Sequence, residues 1–204
     1  MHWTWVNRLS TCLNIHEYIS QFGLGKKTGI DIPLNSFIDV FEKTIQTKKW
    51  ENESEAYSKL CRVFRIRPTD KNINFLIEAR NKVIKRPKLY VNSIPMIKRL
   101  KKLGFKIGII SNSSIFAIER FEKLGLLKYI DYPLFSYDVG VVKPNLKIYR
   151  KMLEKSGFKP GEVLMIGDNY EHDVVAPKKL GLNAIHYLGY SNLKKELKGF
   201  GIIL

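Results

Sequence analysis

Residues 163–175 read VLMIGDNYEHDVV. Four apolar residues, Val163 to Ile166, run into Gly167, and three carboxylates then fall within six positions: Asp168, Glu171 and Asp173. A short apolar run bounded by glycine reads as a buried strand. In doubly wound α/β folds, ligands collect at the carboxyl ends of the strands. A concentration of negative charge there is expected to hold something positive, a metal ion or an ammonium group. The competing reading is that Asp168 and Asp173 cap the helix starting near Val174, whose N-terminal end favours carboxylates.

Around this stretch, from about residue 89, apolar runs alternate with amphipathic helices. SIPMIKRLKKLG places Ile94, Ile97, Leu100 and Leu103 on one helical face and stops at Gly104, a suitable C-terminal cap. FKIGII (105–110) reads as a strand, and SSIFAIERFEKLGL as a helix opened by Ser113 or Ser114. YPLF is a short strand, LKIYRKMLEKSG a helix, EVLMI a strand, VVAPKKLG a short helix and NAIHYL a strand. Such alternation predicts a parallel sheet covered on both faces, an α/β fold with a three-layer core.

Residues 5–87 differ, with helical periodicity over roughly 5–22, 34–47, 52–64 and 70–84 and almost no strand signal. Breaks fall at FGLGKKTGIDIP and near RIRPTD. A helical unit, 1–88, is therefore expected ahead of an α/β unit, 89–204. The boundary is placed near KRPKLY, where Pro87 discourages helix continuation.

With 204 residues, 45% of them hydrophobic and 26% charged, the chain can bury a substantial core and has no composition of a disordered protein. No apolar run approaches the eighteen or so residues of a membrane span, and MHWTWVNRLS lacks signal-peptide character, so a cytoplasmic protein is expected. Cys12 and Cys61 have neither CxxC spacing nor a His/Cys cluster and read as buried free thiols. The net charge of +16 raises nucleic acid as a partner. Dispersal of the basic pairs, from Lys26-Lys27 to Lys194-Lys195, and the lack of an aromatic-basic recognition signature argue against it.

Two more segments carry polar groups, one at a strand end and one in a loop between the two strand-end clusters. SNSS follows the first predicted strand, and DVGVVKPN presents Lys143 in a loop held by Pro144. Hydroxyl, ammonium and acidic cluster in that order suit phosphoryl chemistry. Ser111 with nearby backbone N–H groups can hold phosphate oxygens, Lys143 supplies a point charge, and Mg2+ typically takes one or two carboxylates with water and a substrate phosphate. Taken singly, Ser111 reads as a turn residue and Lys143 as a solvated lysine. His16, His172 and His186 read as ordinary helix, cap or strand residues, and Trp50, Tyr57, Phe64 and Phe75 as core.

IISNSS, VVKPN and LMIGDNYEHD resemble, in order and spacing, the second, third and fourth motifs of the haloacid dehalogenase-like (HAD) hydrolases, the last in that family's GD-x4-D form. The resemblance covers about 90–190, and the helical stretch ahead of it is similar to the family's inserted cap. It implies a Rossmann-like core, with Ser111 hydrogen-bonding the transferred phosphoryl group and Asn112 shaping the turn. It further implies that Lys143 neutralises the nucleophile and covalent intermediate, and that Asp168 is a Mg2+ ligand. Asp173 is a second acidic group supporting the metal or Lys143, while Glu171 matches no required position. The implied activity is Mg2+-dependent hydrolysis of a small phosphate ester through an aspartyl-phosphate. Alternatives are 2-haloacid dehalogenation and a non-catalytic binding protein; a receiver domain is disfavoured because its acidic residues come early in the chain.

The family's first motif, an apolar strand followed by Asp-x-Asp-x-Thr with the nucleophile and the general acid/base, does not occur in the sequence. TGIDIP lacks the strand and the second aspartate, so Asp31 is not nominated. In capped members the nucleophile lies about a hundred residues before the serine motif, a position at or before Met1. The expectations are therefore a first core strand missing from the sheet, HWTWVNRL as the link into the cap, and a start codon assigned too far downstream or a shortened chain.

Overall fold

The computed structural model describes residues 2–4, 34–84, 89 and 92–204. Strand β1 spans His2–Thr4. Three helices follow, α1 (Leu34–Ile45), α2 (Glu53–Val63) and α3 (Asp70–Ile84). The α/β part then runs α4 (Ser93–Lys102), β2 (Ile107–Ser111), α5 (Ile118–Lys123), β3 (Tyr132–Phe135), α6 (Ser136–Val139), α7 (Leu146–Ser156) and β4 (Val163–Gly167). A wide helical turn, Glu171–Val175, leads into the short helix α8 (Ala176–Lys178), followed by β5 (Asn183–His186) and α9 (Tyr190–Gly199).

The five strands form one parallel sheet in the order β3-β2-β1-β4-β5. Both faces are covered, which explains why β2 and β4 are buried along their whole length and read as apolar runs rather than alternating. Leu164 and Ile166 of β4 pack with Ile107 and Ile109 of β2 beneath α4 and α9, through Ile97, Leu100, Leu193 and Leu197. The intervening residues Met165 and Ile110 point to the opposite face and meet Ile148, Tyr149 and Met152 of α7. This three-layer parallel architecture is the fold class expected from the alternating pattern.

The sheet's central place is not vacant. His2–Thr4 occupies it, with Trp3 opposite Ile107 on one side and Leu164 on the other, so the expectation of a missing first strand is corrected to a three-residue one. His-Trp-Thr carries no apolar run, yet pairing requires only backbone N–H and C=O groups, which any such tripeptide supplies. A strand that short leaves no periodicity to read. The helix expected over 5–22, the thiol Cys12, His16, Asp31 and most of KRPKLY lie outside the described residues.

The helical unit has its own core. Phe41 and Ile45 of α1, Tyr57, Leu60 and Cys61 of α2, and Ile73 and Leu76 of α3 enclose one another with Trp50 and Phe64, while Phe75 packs against them. The four aromatic residues read as core do pack there. Burial pushes the Cys61 thiol up, away from reactive-thiolate character. Asn52 caps α2 by accepting the Glu55 N–H at 2.9 Å, and Arg80 of α3 pairs with Glu53 at the start of α2.

One ion pair ties α4 to the sheet. The Lys101 ammonium sits 2.9 Å from both Asp131 oxygens, and Asp131 Oδ2 also accepts the Ile107 N–H at 2.8 Å, where β2 begins. Partial burial pushes the Asp131 carboxyl up, but the Ile107 N–H and the Lys101 ammonium outweigh it and hold the group below its ordinary value. A carboxyl lowered in the folded state adds stability above its unfolded pKa of about 3.9, and that stability fades as pH falls through the folded value. Asp131→Asn is expected to cost about 1.5 kcal/mol in urea unfolding at pH 7, the scale of a hydrogen bond to a charged group. The gap from the parent should close below about pH 4; a constant gap from pH 7 to pH 3 would mean that the carboxylate charge is not what stabilises β2.

Candidate active site

β2 and β4 are parallel, so their carboxyl ends, Ser111 and Gly167, open at one edge of the sheet. Lys143 reaches that edge from the loop between α6 and α7 and is 2% exposed, a depth at which an ammonium needs a counter-charge. Asp173, 1% exposed, supplies it, with 2.6 Å between Nζ and Oδ1. The other Asp173 oxygen accepts the Asn169 N–H at 3.1 Å. Both oxygens are thus engaged, and the pair forms the floor of the cluster.

Asn112 joins the serine turn to the lysine loop. Its Oδ1 accepts the Lys143 N–H at 2.7 Å, and its Nδ2 donates to the Lys143 carbonyl at 3.2 Å. Nδ2 also donates to Glu42 Oε2 on α1, at 3.0 Å. The two-way clamp on the Lys143 backbone sets where the side chain starts, and Asp173 sets where it ends.

Ser111 lies under a short hydroxyl relay. Its Oγ is 2.6 Å from Ser113 Oγ, Ser113 N–H donates to Ser136 Oγ at 3.0 Å, and Ser136 O–H donates to the Ser113 carbonyl at 3.2 Å. All three serines are buried. Ser114 stands at the N-cap of the 115–117 turn that leads into α5, one of the two serines expected there, but makes no side-chain cap bond. Ser113 serves Ser111 instead, a role that local sequence does not signal because its partner Ser136 is 23 residues away.

Asp168 follows β4 directly, and its Oδ1 is buried. His186 Nε2 lies 3.0 Å from the Asp168 carbonyl, and the Tyr170 ring meets His186 edge-on at 5.4 Å. The turn after it is capped by Asn169, whose Oδ1 accepts the His172 N–H at 3.0 Å, so capping falls to the asparagine and not to the two aspartates. Glu171 is exposed and 3.9 Å from Lys179. Among the described residues no group of three His, Cys, Asp or Glu side chains gathers to hold a metal. A resident all-protein cage is therefore not built from them. Mg2+ needs only one or two carboxylates when water and a phosphate complete its shell, and the hard, buried Asp168 oxygen fits that demand.

The structure therefore brings Ser111, Asn112, Lys143, Asp168 and Asp173 to one sheet edge, and adds Glu42, Ser113 and Ser136. Glu42 reads from sequence as an ordinary helix carboxylate; only its near-complete burial marks it.

Known proteins agree with this arrangement. Residues 30–187 match the family model for haloacid dehalogenase-like hydrolases. A glyceraldehyde 3-phosphate phosphatase of Methanothermobacter thermautotrophicus is 31% identical over 97 residues, 47% of this chain and 43% of the relative. The protein of the same name from Methanocaldococcus jannaschii is 25% identical over 162 residues, 78% of this chain and 71% of its own. The chain thus spans less than half the length of the first relative and about seven tenths of the second. A crystal structure of a HAD phosphatase from Thermococcus onnurineus superposes with a TM-score of 0.59 at 23% identity, covering 97% of each chain, and shares the fold. With the motif residues assembled at one sheet edge and the family model matched over most of its length, the chain belongs to the haloacid dehalogenase-like hydrolases.

Proposed function

We propose that this site takes a small phosphate ester and that the protein is a phosphatase of the HAD type. The observation that carries the reading is the buried Lys143–Asp173 pair clamped through Asn112 beside Ser111. A buried ammonium with a fixed start and a fixed end is a preorganised positive charge, which stabilises a transferring phosphoryl group without reorganising. The Ser111 hydroxyl donates to a phosphoryl oxygen, with Ser113 holding its Oγ. Asp173 positions the lysine. Asp168 would hold Mg2+, which when bound supplies charge neutralisation at the phosphate oxygens. The relatives named as glyceraldehyde 3-phosphate phosphatases support a small phosphorylated substrate.

A second reading, phosphate-ester binding without hydrolysis, is favoured by one specific observation. The central strand is His2–Thr4, and the residues after it, Trp5-Val6-Asn7-Arg8-Leu9, include no carboxylate to act as nucleophile. The test is p-nitrophenyl phosphate turnover with and without Mg2+, beside calorimetric titration with inorganic phosphate. Mg2+-dependent turnover that falls at least a hundredfold in Asp168→Asn supports the phosphatase. Phosphate binding with no turnover supports the binding protein, and neither binding nor turnover rejects both. Metal-independent chloride release from a 2-haloacid would transfer the assignment to dehalogenation.

A further inference from the structure

The peptide units on either side of the Asp168 α-carbon are both anchored. On the strand side, the Gly167 carbonyl accepts the Tyr187 N–H at 2.8 Å, where β4 ends against β5. On the far side, the peptide joining Asp168 to Asn169 is held at both of its polar groups. Its carbonyl oxygen lies 3.0 Å from His186 Nε2, and its N–H donates to Asp173 Oδ2 at 3.1 Å. A carbonyl only accepts, so the imidazole carries its proton on Nε2 and a side chain of β5 extends the hydrogen bonding of β4 by one residue. The Tyr170 ring packs edge-on against the imidazole. A peptide unit is planar, and fixing the two that flank an α-carbon fixes that residue's φ and ψ and, with them, the direction in which its Cβ leaves the chain.

We propose that His186 is a positioning residue for the metal: by holding the Asp168 carbonyl, its Nε2–H fixes the direction of the Asp168 carboxylate and so sets the affinity for Mg2+. This rests on the reading in which Asp168 holds Mg2+ beside a phosphate ester. Mg2+ demands near-ideal octahedral geometry, so a carboxylate free to swing with its backbone binds it less tightly. Groups that orient a metal ligand are typically worth about ten- to a hundredfold in metal affinity. Asp173 holds the same peptide from its other end but also pairs with Lys143, so its removal would disturb both. His186 makes a single hydrogen bond among the described residues, and its contribution is therefore separable.

The test is calorimetric titration with inorganic phosphate at a series of Mg2+ concentrations, which gives the Mg2+ concentration at half of its effect on phosphate affinity. His186→Phe keeps an aromatic ring against Tyr170 and removes the donor. It is expected to raise that concentration about tenfold while leaving phosphate affinity without Mg2+ unchanged. His186→Gln, whose amide donates from a similar reach, should stay within about threefold of the parent. A folded His186→Phe within about twofold of the parent, or a His186→Gln as impaired as His186→Phe, overturns the proposal. The ring nitrogen-15 shifts of the parent at about pH 8 should show His186 protonated at Nε2 and not at Nδ1. The opposite tautomer overturns the proposal without any variant having to fold. Phosphate binding that does not respond to Mg2+ overturns the metal role of Asp168, and this inference with it, but leaves the phosphate site standing. Failure of the parent to bind inorganic phosphate overturns the underlying reading itself.

Discussion

Lys143→Met is expected to destabilise the protein by about 3–5 kcal/mol in urea unfolding, because it strands the Asp173 carboxylate where no water reaches it. The loss is the penalty for an uncompensated buried charge, not the worth of the ion pair, and the two are separable. Asp173→Asn in the Lys143→Met background removes the stranded charge and should recover most of the stability, since replacing both members of a buried pair is often close to neutral. Neither variant should recover phosphate affinity, because the ammonium is gone in both. If Lys143→Met unfolds at the parent's urea concentration, Asp173 is not shut away from water as described, and the preorganised-charge argument goes with it.

Gly167→Ala is the second large effect. A Cβ at Gly167 would lie 2.2 Å from Asp173 Oδ2, 2.3 Å from its Cγ and 2.5 Å from its Cβ. No rotamer change clears a clash that includes the Cβ. The strand cannot retreat either, because Gly167 pairs with His186 and its carbonyl accepts the Tyr187 N–H at 2.8 Å. The displaced Asp173 would leave Lys143 and the Asn169 N–H together, so an overpacking cost of about 1–3 kcal/mol is joined by the loss of the buried pair. Adding Asp173→Gly removes all three of these atoms, and Gly167→Ala should then cost under about 0.5 kcal/mol more than Asp173→Gly alone. Full additivity of the two substitutions would show that the glycine serves some purpose other than this close approach. The glycine of GD-x4-D is needed here for space and not for a left-handed backbone, and the last aspartate of the motif explains the first glycine.

Most of the α/β half was legible to within a residue or two, but SSIFAIERFEKLGL, read as one helix, divides into a tight turn over 115–117 and the six-residue α5. α7 begins and ends where LKIYRKMLEKSG does, with Gly157 in the left-handed conformation at its C-terminal cap. β2 starts two residues later than FKIGII because Phe105 and Lys106 lead into the strand as the Asp131 contact fixes its entry. α6 and α9 were not read at all: one has four residues, too few for a period, and the other lies beyond the last motif with Gly189 as its cap. In the helical unit the segments 34–47, 52–64 and 70–84 match α1, α2 and α3 closely.

Residue chemistry and position were enough, from sequence by itself, to single out Ser111, Lys143 and the acidic cluster of Asp168, Glu171 and Asp173, since polar residues directly after an apolar strand are a local signal; Asn112 and the preference for the two aspartates over Glu171 came from the family resemblance. Division of labour among them is a tertiary matter. Asp168 and Asp173 are equivalent carboxylates in the sequence, but the fold surrounds one with Lys143 and the Asn169 N–H and leaves the other at the end of β4. The same holds for Glu42, a polar residue on an amphipathic helix until Asn112, 70 positions away, gives it a purpose. Most of all it holds for His2–Thr4, whose place in the middle of the sheet depends on backbone pairing with strands more than a hundred and about a hundred and sixty residues further along the chain. Periodicity records what a residue's near neighbours require of it; contacts across such separations leave no trace there, because they are chosen only when the whole sheet assembles.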